Sequence, residues 1–136
     1  LIGEEGVREA LRLMAYPTEE AAWATDGSQV RFASTADVVA TFNAVSGQDL
    51  DWLFEAYLRQ AELPRLLVEI EHGEGERTMQ LRWQVPGDLP FTMPVPVQLE
   101  DRTDLVDMTD GTGALQVPAG VEPVIDPEDW VLRAMP

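Results

Sequence analysis

The chain has no cysteine and no lysine, and its single histidine is His72. Without cysteine there is no disulfide and no thiolate to act as nucleophile or metal ligand. Without lysine, Schiff-base chemistry is excluded. A zinc site needs three or four Cys, His or carboxylate ligands in defined spacing, which one histidine flanked by Glu71 and Glu74 does not supply. A Ser–His–Asp triad would have to use the same His72, and no G-x-S-x-G elbow presents a serine. No apolar run approaches the roughly 20 residues that cross a bilayer, and the first residues do not read as a signal peptide. The chain opens at Leu1-Ile2 directly before a helical pattern, as expected of an internal cut or a processed end.

What the sequence does have is acid. Against 25 acidic residues stand nine basic ones, all arginine, so the formal net charge is −16. A potential of that sign repels phosphate backbones and anionic headgroups, and neither a nucleic acid nor a membrane is expected as a partner. Apolar residues make up 45% and charged residues 25%, a composition that folds and is not that of a disordered chain. With 136 residues there is room for one ordinary domain, or for a small helical piece joined to a compact sheet domain.

Residues 1–65 carry helical periodicity. Val7, Ala10, Leu11 and Met14 form one stripe of a first helix over Gly3 to Ala15, with Glu4 and Glu5 in its first turn and Arg12 near its end, both favourable with the helix dipole. Pro17-Thr18-Glu19-Glu20 breaks the pattern and starts a short turn through Trp23, which Asp26-Gly27 ends. Ser34 and Asp37 have capping-box spacing, Val38, Phe42 and Val45 share a face, and Gly47 sits where a left-handed C-terminal cap is wanted. A further helix is expected from Asp49, with a stripe of Leu50, Leu53, Phe54, Tyr57, Leu58 and Ala61, closed by Pro64.

From Leu66 the period changes to two. Leu66, Val68 and Ile70 share a face, His72-Gly73-Glu74-Gly75 reads as a turn, and Met79, Leu81, Trp83 and Val85 alternate with polar residues. After Pro86-Gly87-Asp88, the residues Phe91, Met93, Val95, Val97 and Leu99 form the next inward face. Pro94 and Pro96, which donate nothing to a ladder, mark that segment as an edge strand. Short segments at Leu105–Met108, Leu115–Val117 and Val121–Ile125 follow, with Asp110-Gly111 as a hairpin-like turn and a last strand at Trp130 and Leu132. The expected fold is therefore α+β: about three helices over residues 1–65, then a small antiparallel β-sandwich of about six or seven strands over residues 66–136.

Chemistry is hard to place on this frame. The acids Glu100, Asp101, Asp104, Asp107 and Asp110 suggest calcium, but they recur every third residue with no closing glutamate, and solvated acids are the stronger reading. Gly73-x-Gly75 and Gly111-x-Gly113 lead into no helix and read as hairpin turns, not phosphate loops. Trp83 and Trp130 are expected in the core. Trp52 lies off its helix's apolar stripe, and a partner surface and a local contact explain it equally well. No catalytic, cofactor-binding or metal-binding residue is assigned.

The run Ser46-Gly47-Gln48-Asp49-Leu50-Asp51-Trp52-Leu53-Phe54, continuing through Tyr57-Leu58 to Leu63-Pro64-x-Leu66, resembles the segment that follows the catalytic core in the aminopeptidase N family of zinc metallopeptidases. That family has a T-x-x-D-F-type helix start, S-G-x-D-L, a pair of aromatics, a tryptophan-type position and G-x-P before a strand. Here Thr35-Ala36-Asp37-Val38 is one residue shorter, the S-G-Q-D-L run is unchanged, and Leu53, Tyr57 and Glu62 replace an aromatic, the tryptophan and the glycine. Leu1–Arg12 is similar to the helix before it, with Val7 for an aromatic. Phe91-x-Met93-Pro94-Val95-Pro96-Val97 and Asp126-Pro127-x-x-Trp130-x-Leu132 are similar to the family's small β-sandwich.

The resemblance implies a fragment holding the last helices of a catalytic domain and the sandwich after it. The family's H-E-x-x-H helix, its third glutamate ligand, its G-x-M-E-N strand and its catalytic tyrosine lie upstream of such a segment, so no functional residue carries over. The fragment would not be an enzyme and would hold no cofactor. Zinc and the peptide substrate would belong to the parent protein, whose catalytic domain would be the fragment's partner. Two other readings stand beside it: a stand-alone acidic module that binds a protein or peptide, and an independent hydrolase of unfamiliar type.

Overall fold

In the computed structural model, which describes residues 1–72 and 76–135, the helical periodicity at the start of the chain becomes α1, Gly3–Ala15. Its expected stripe is only half covered: Ala10 is fully buried and Met14 half-buried, while Val7 and Leu11 are exposed. α2, Glu19–Trp23, starts where the Thr18 hydroxyl accepts the Ala21 amide at 3.2 Å. α3, Thr35–Ser46, packs against α1 and opens on a full capping box. Ser34 accepts the Asp37 amide at 3.3 Å while the Asp37 carboxylate accepts the Ser34 amide at 2.7 Å. Those bonds, from the Ser34 amide first and then its hydroxyl, hold the Asp37 carboxyl below the usual range. Gly47 closes α3 in the left-handed conformation at φ 65°.

The fourth helix, α4, covers Asp51–Leu58 and is shorter than the periodicity predicts. The Asp49 carboxylate does accept a first-turn amide, that of Asp51 at 3.0 Å, but the amides of Leu53 and Phe54 both point at Leu50, whose carbonyl marks the start. At the other end, Ala61 and Pro64 lie beyond the helix, because the chain must already straighten to enter a strand at Arg65. Leu50 and Ala56 are buried, Trp52 is half-buried, and Phe54 meets Phe42 edge to face at 5.7 Å.

The chain divides into two units, Leu1–Phe54 and Glu55–Pro136. In the second, six strands among the described residues form two antiparallel sheets of three, completing the expected α+β class. β1, Arg65–His72, β2, Glu76–Gln84, and β5, Thr112–Pro118, make one sheet in the order β1-β2-β5. β3, Val95–Leu99, β4, Arg102–Val106, and β6, Val124–Ile125, make the other in the order β4-β3-β6. Alternation predicts most of the core: Met79, Leu81, Trp83 and Val85 from the β2 segment, Phe91, Val95, Val97 and Leu99 from the β3 segment, and Val117 from β5. Met93 of the expected inward face is only half-buried, and Val68 on the expected face of β1 is exposed, because β1 is an edge strand of its sheet. Phe91 sits between Tyr57 at 5.6 Å and Trp83 at 5.2 Å, both edge to face, and Trp83 donates its indole N–H to Met93 at 2.8 Å.

Four expectations fail for identifiable reasons. β3 is the central strand of its sheet and not an edge, although it contains the buried Pro96. The N–H that Pro96 lacks would face β6, whose ladder reaches only Val97 and Gln98. On that side Pro96 offers its carbonyl, which accepts the Asp126 amide at 2.7 Å. Asp110-Gly111 is not a hairpin turn: it belongs to a 3₁₀ turn, Thr109–Gly111, that carries the chain from one sheet to the other. Trp130 and Leu132 form no strand. Their segment is irregular and both side chains are exposed, because the backbone there is bound to one buried carboxylate instead of a ladder. His72 is the last residue of β1, paired with Arg77, and is not in a turn; the expected turn at Gly73-Glu74-Gly75 lies outside the described residues.

Candidate docking surface

Among the described residues, which leave out Glu74, none of the sequence's chemical candidates gathers into a centre. His72 is exposed at a strand end. Among the described residues no three His, Asp or Glu side chains come together as a metal site, so the donors present do not fit a zinc ion. The acidic series is dispersed by the turns it builds. Asp104 pairs with Arg102 at 2.6 Å, and Asp107 accepts the Thr109 hydroxyl at 3.5 Å. Glu100 and Asp110 take left-handed backbone at φ 54° and 52°, a conformation that aspartate adopts more readily than most residues. Gly113 lies inside β5, where a Cβ would stand 2.6 Å from the Asp107 carbonyl oxygen, so its role is close packing and not phosphate binding.

The helical unit instead carries an exposed apolar surface. Val7 and Leu11 on α1, Tyr16 beyond it, Trp23, Val30 and Phe32 all face solvent. Trp23 is 84% exposed and Phe32 fully so. Single exposed apolar residues are ordinary, but six large ones in one small unit, with two aromatic rings almost wholly in water, make this unit the candidate for a docking surface. Full burial of each such side chain contributes about 1.5–3 kcal/mol, against about 1 kcal/mol for a typical hydrogen bond.

The loop that presents them is tied down by polar bonds. Arg31 donates to the Met14 carbonyl at 3.2 Å, so its neighbours Val30 and Phe32 are held beside the end of α1. Asp26 accepts the Ser28 amide at 2.9 Å, and the Val30 amide closes a turn on Gly27 at 3.1 Å. Hydrogen bonding by Ser28, first its hydroxyl and then its amide, holds the Asp26 carboxyl below its usual range. Val30 and Phe32 carry no periodic signal in the sequence, because two apolar residues around an arginine fit neither period. Their only signal was large apolar groups in a segment with no helix or strand to bury them.

Also missed was Asn43, which organises the S-G-Q-D-L run. Its Oδ1 accepts the Leu50 amide at 2.9 Å and its Nδ2 donates to Asp51 at 2.8 Å, so one side chain on α3 fixes the first turn of α4.

This fold is shared with part of a solved peptidase. A Legionella pneumophila aminopeptidase A, solved in complex with aspartic acid, aligns with 91% of this chain at a TM-score of 0.58 and 16% sequence identity. The chain spans only 14% of the length of that protein. No family model matches the chain, and no curated protein matches it in sequence. At this identity the alignment establishes the fold alone. No described helix is long and apolar enough to cross a membrane.

Proposed function

We propose that the chain is the non-catalytic C-terminal region of a zinc aminopeptidase of the aminopeptidase N type. In the whole protein it buttresses the catalytic domain and helps to shape the mouth of the active-site cleft. The exposed apolar side chains of the helical unit are the surface covered by that domain. The parent supplies the zinc-activated water and binds the peptide, and this chain meets substrate only through the parent.

The observation that carries the reading is the fold alignment of 91% of this chain onto 14% of an aminopeptidase. The S-G-Q-D-L run supports it independently, being the most continuous part of the family resemblance. The reading frame upstream of Leu1 is the direct test. An H-E-x-x-H with a downstream glutamate in the same frame is expected, and a start codon next to Leu1 overturns the proposal. Incubated with aminoacyl-arylamides and zinc, the isolated chain is expected to give no turnover above background.

A further inference from the structure

Trp130 is 72% exposed, yet the backbone that carries it is firmly held. Asp126, only 3% exposed, sits at its base in a left-handed conformation at φ 51°. One carboxylate oxygen of Asp126 accepts the Trp130 amide at 2.9 Å and the other accepts the Val131 amide at 3.0 Å. The Asp126 amide is bonded to Pro96, and its carbonyl accepts the Asp129 amide at 3.0 Å. A polar group is thus buried to fix a loop whose largest side chain stays in water. That arrangement leaves the indole itself outside the core, and it removes the ordering cost from any contact the indole makes.

Beside the indole is a cleft of about 150 Å³, lined by Pro96, Thr103, Pro127, Glu128 and Trp130. It is below the roughly 300–1,000 Å³ of small-molecule sites and near the size that holds one benzene-sized group. Two prolines and an indole make its walls flat and apolar. Glu128 adds a carboxylate that has no hydrogen bond or ion pair among the described residues. A flat aromatic surface next to an unpaired carboxylate suits a guanidinium, which is planar, stacks on rings and pairs with carboxylates. The net charge of −16 favours approach of a basic segment.

We propose that this cleft takes an arginine side chain of a basic partner segment, with its guanidinium against Trp130 and paired with Glu128. Asp126 is the positioning residue. All these residues lie in the second unit, and the inference stands whether or not the aminopeptidase reading does.

Nuclear magnetic resonance on the full chain tests it, using the indole N–H signal of Trp130, assigned by its loss in Trp130→Phe. The probes are acetyl-Gly-Arg-Gly-amide, the same peptide with citrulline for arginine, and tetraproline. The arginine peptide is expected to shift the signal saturably at roughly millimolar concentration, with binding about tenfold weaker for citrulline. Glu128→Gln should weaken arginine binding severalfold, and Trp130→Ala should abolish it while the remaining spectrum stays in place. Asp126→Asn should weaken binding while the Trp83 indole signal is unmoved. No saturable shift with arginine, equal shifts with citrulline or tetraproline, or unchanged binding in Trp130→Ala would each overturn the site. Unchanged affinity in Asp126→Asn would overturn the positioning role.

Discussion

The Asp126 amide donates to the carbonyl oxygen of Pro96 at 2.7 Å, and through it a proline is accommodated in a central strand. The same aspartate then caps the Trp130 and Val131 amides with its carboxylate. Asp126→Ala leaves those two part-buried donors without partners, and each unmet donor costs about 1–3 kcal/mol. Urea unfolding should show a loss of roughly 2 kcal/mol or more, and a midpoint equal to that of the unmodified chain would remove the carboxylate from the account.

Gly113 offers a second point of attack. An added Cβ would meet a backbone carbonyl at 2.6 Å and the Met108 sulfur at 2.7 Å, and the carbonyl belongs to the connection between sheets and has little room to shift. Gly113→Ala should therefore destabilise by about 1–3 kcal/mol, where alanine in an open strand would be neutral or better. Thermal unfolding decides: an unchanged or raised Tm contradicts the crowding.

Asn43 joins α3 to α4 by two side-chain bonds. Asn43→Ala is expected to cost about 1–2 kcal/mol and to raise amide exchange at Leu50 first, since that amide loses its acceptor. Exchange at Leu50 as slow as in the unmodified chain would show that the bond does not hold the turn.

Tyr57 donates its hydroxyl to the Leu132 carbonyl at 2.7 Å, and burial, with a lesser contribution from the Asp126 charge, pushes its pKa from 10.0 up to about 12. The folded chain thus favours the protonated phenol. That contribution to stability is complete below about pH 10 and is lost as pH rises towards 12. An ultraviolet difference titration of the chain against Tyr57→Phe should assign a phenol ionising near pH 12 to Tyr57. Ionisation of that phenol at pH 10 would refute the burial argument.

Trp23 and Phe32 do little for the isolated unit because they are already in water. Trp23→Ser and Phe32→Ser should each change stability by less than about 0.5 kcal/mol and lower the binding of a hydrophobic dye. A large loss of stability would place these rings in a core and take away the docking surface.

Much of this molecule follows from local rules. Ser34 and Asp37 cap α3 because a short polar side chain three residues from a partner has no better bond to make. Gly47 closes the same helix because only glycine takes φ 65° at little cost. The alternation from Met79 to Val85 placed those four side chains in the core, since a period of two can bury only one face. The lack of cysteine and lysine and the single histidine limit the chemistry open to this chain.

Other features depend on partners far along the chain. Pro96 suggests an edge strand because a sequence shows the missing donor but not that β6 is too short to need it. Trp130 suggests a core residue because an aromatic after a strand pattern is usually buried, and nothing local shows that the Asp126 carboxylate ties the backbone there while leaving the ring in water. Asn43 and Arg31 carry no motif, and their roles come from carbonyls and amides met only after folding. Caps and alternation are set by neighbours a few residues away, and the sequence by itself determined them. Strand order, the cleft beside Trp130 and the apolar side chains left exposed depend on long-range pairing, and only the tertiary structure decided those.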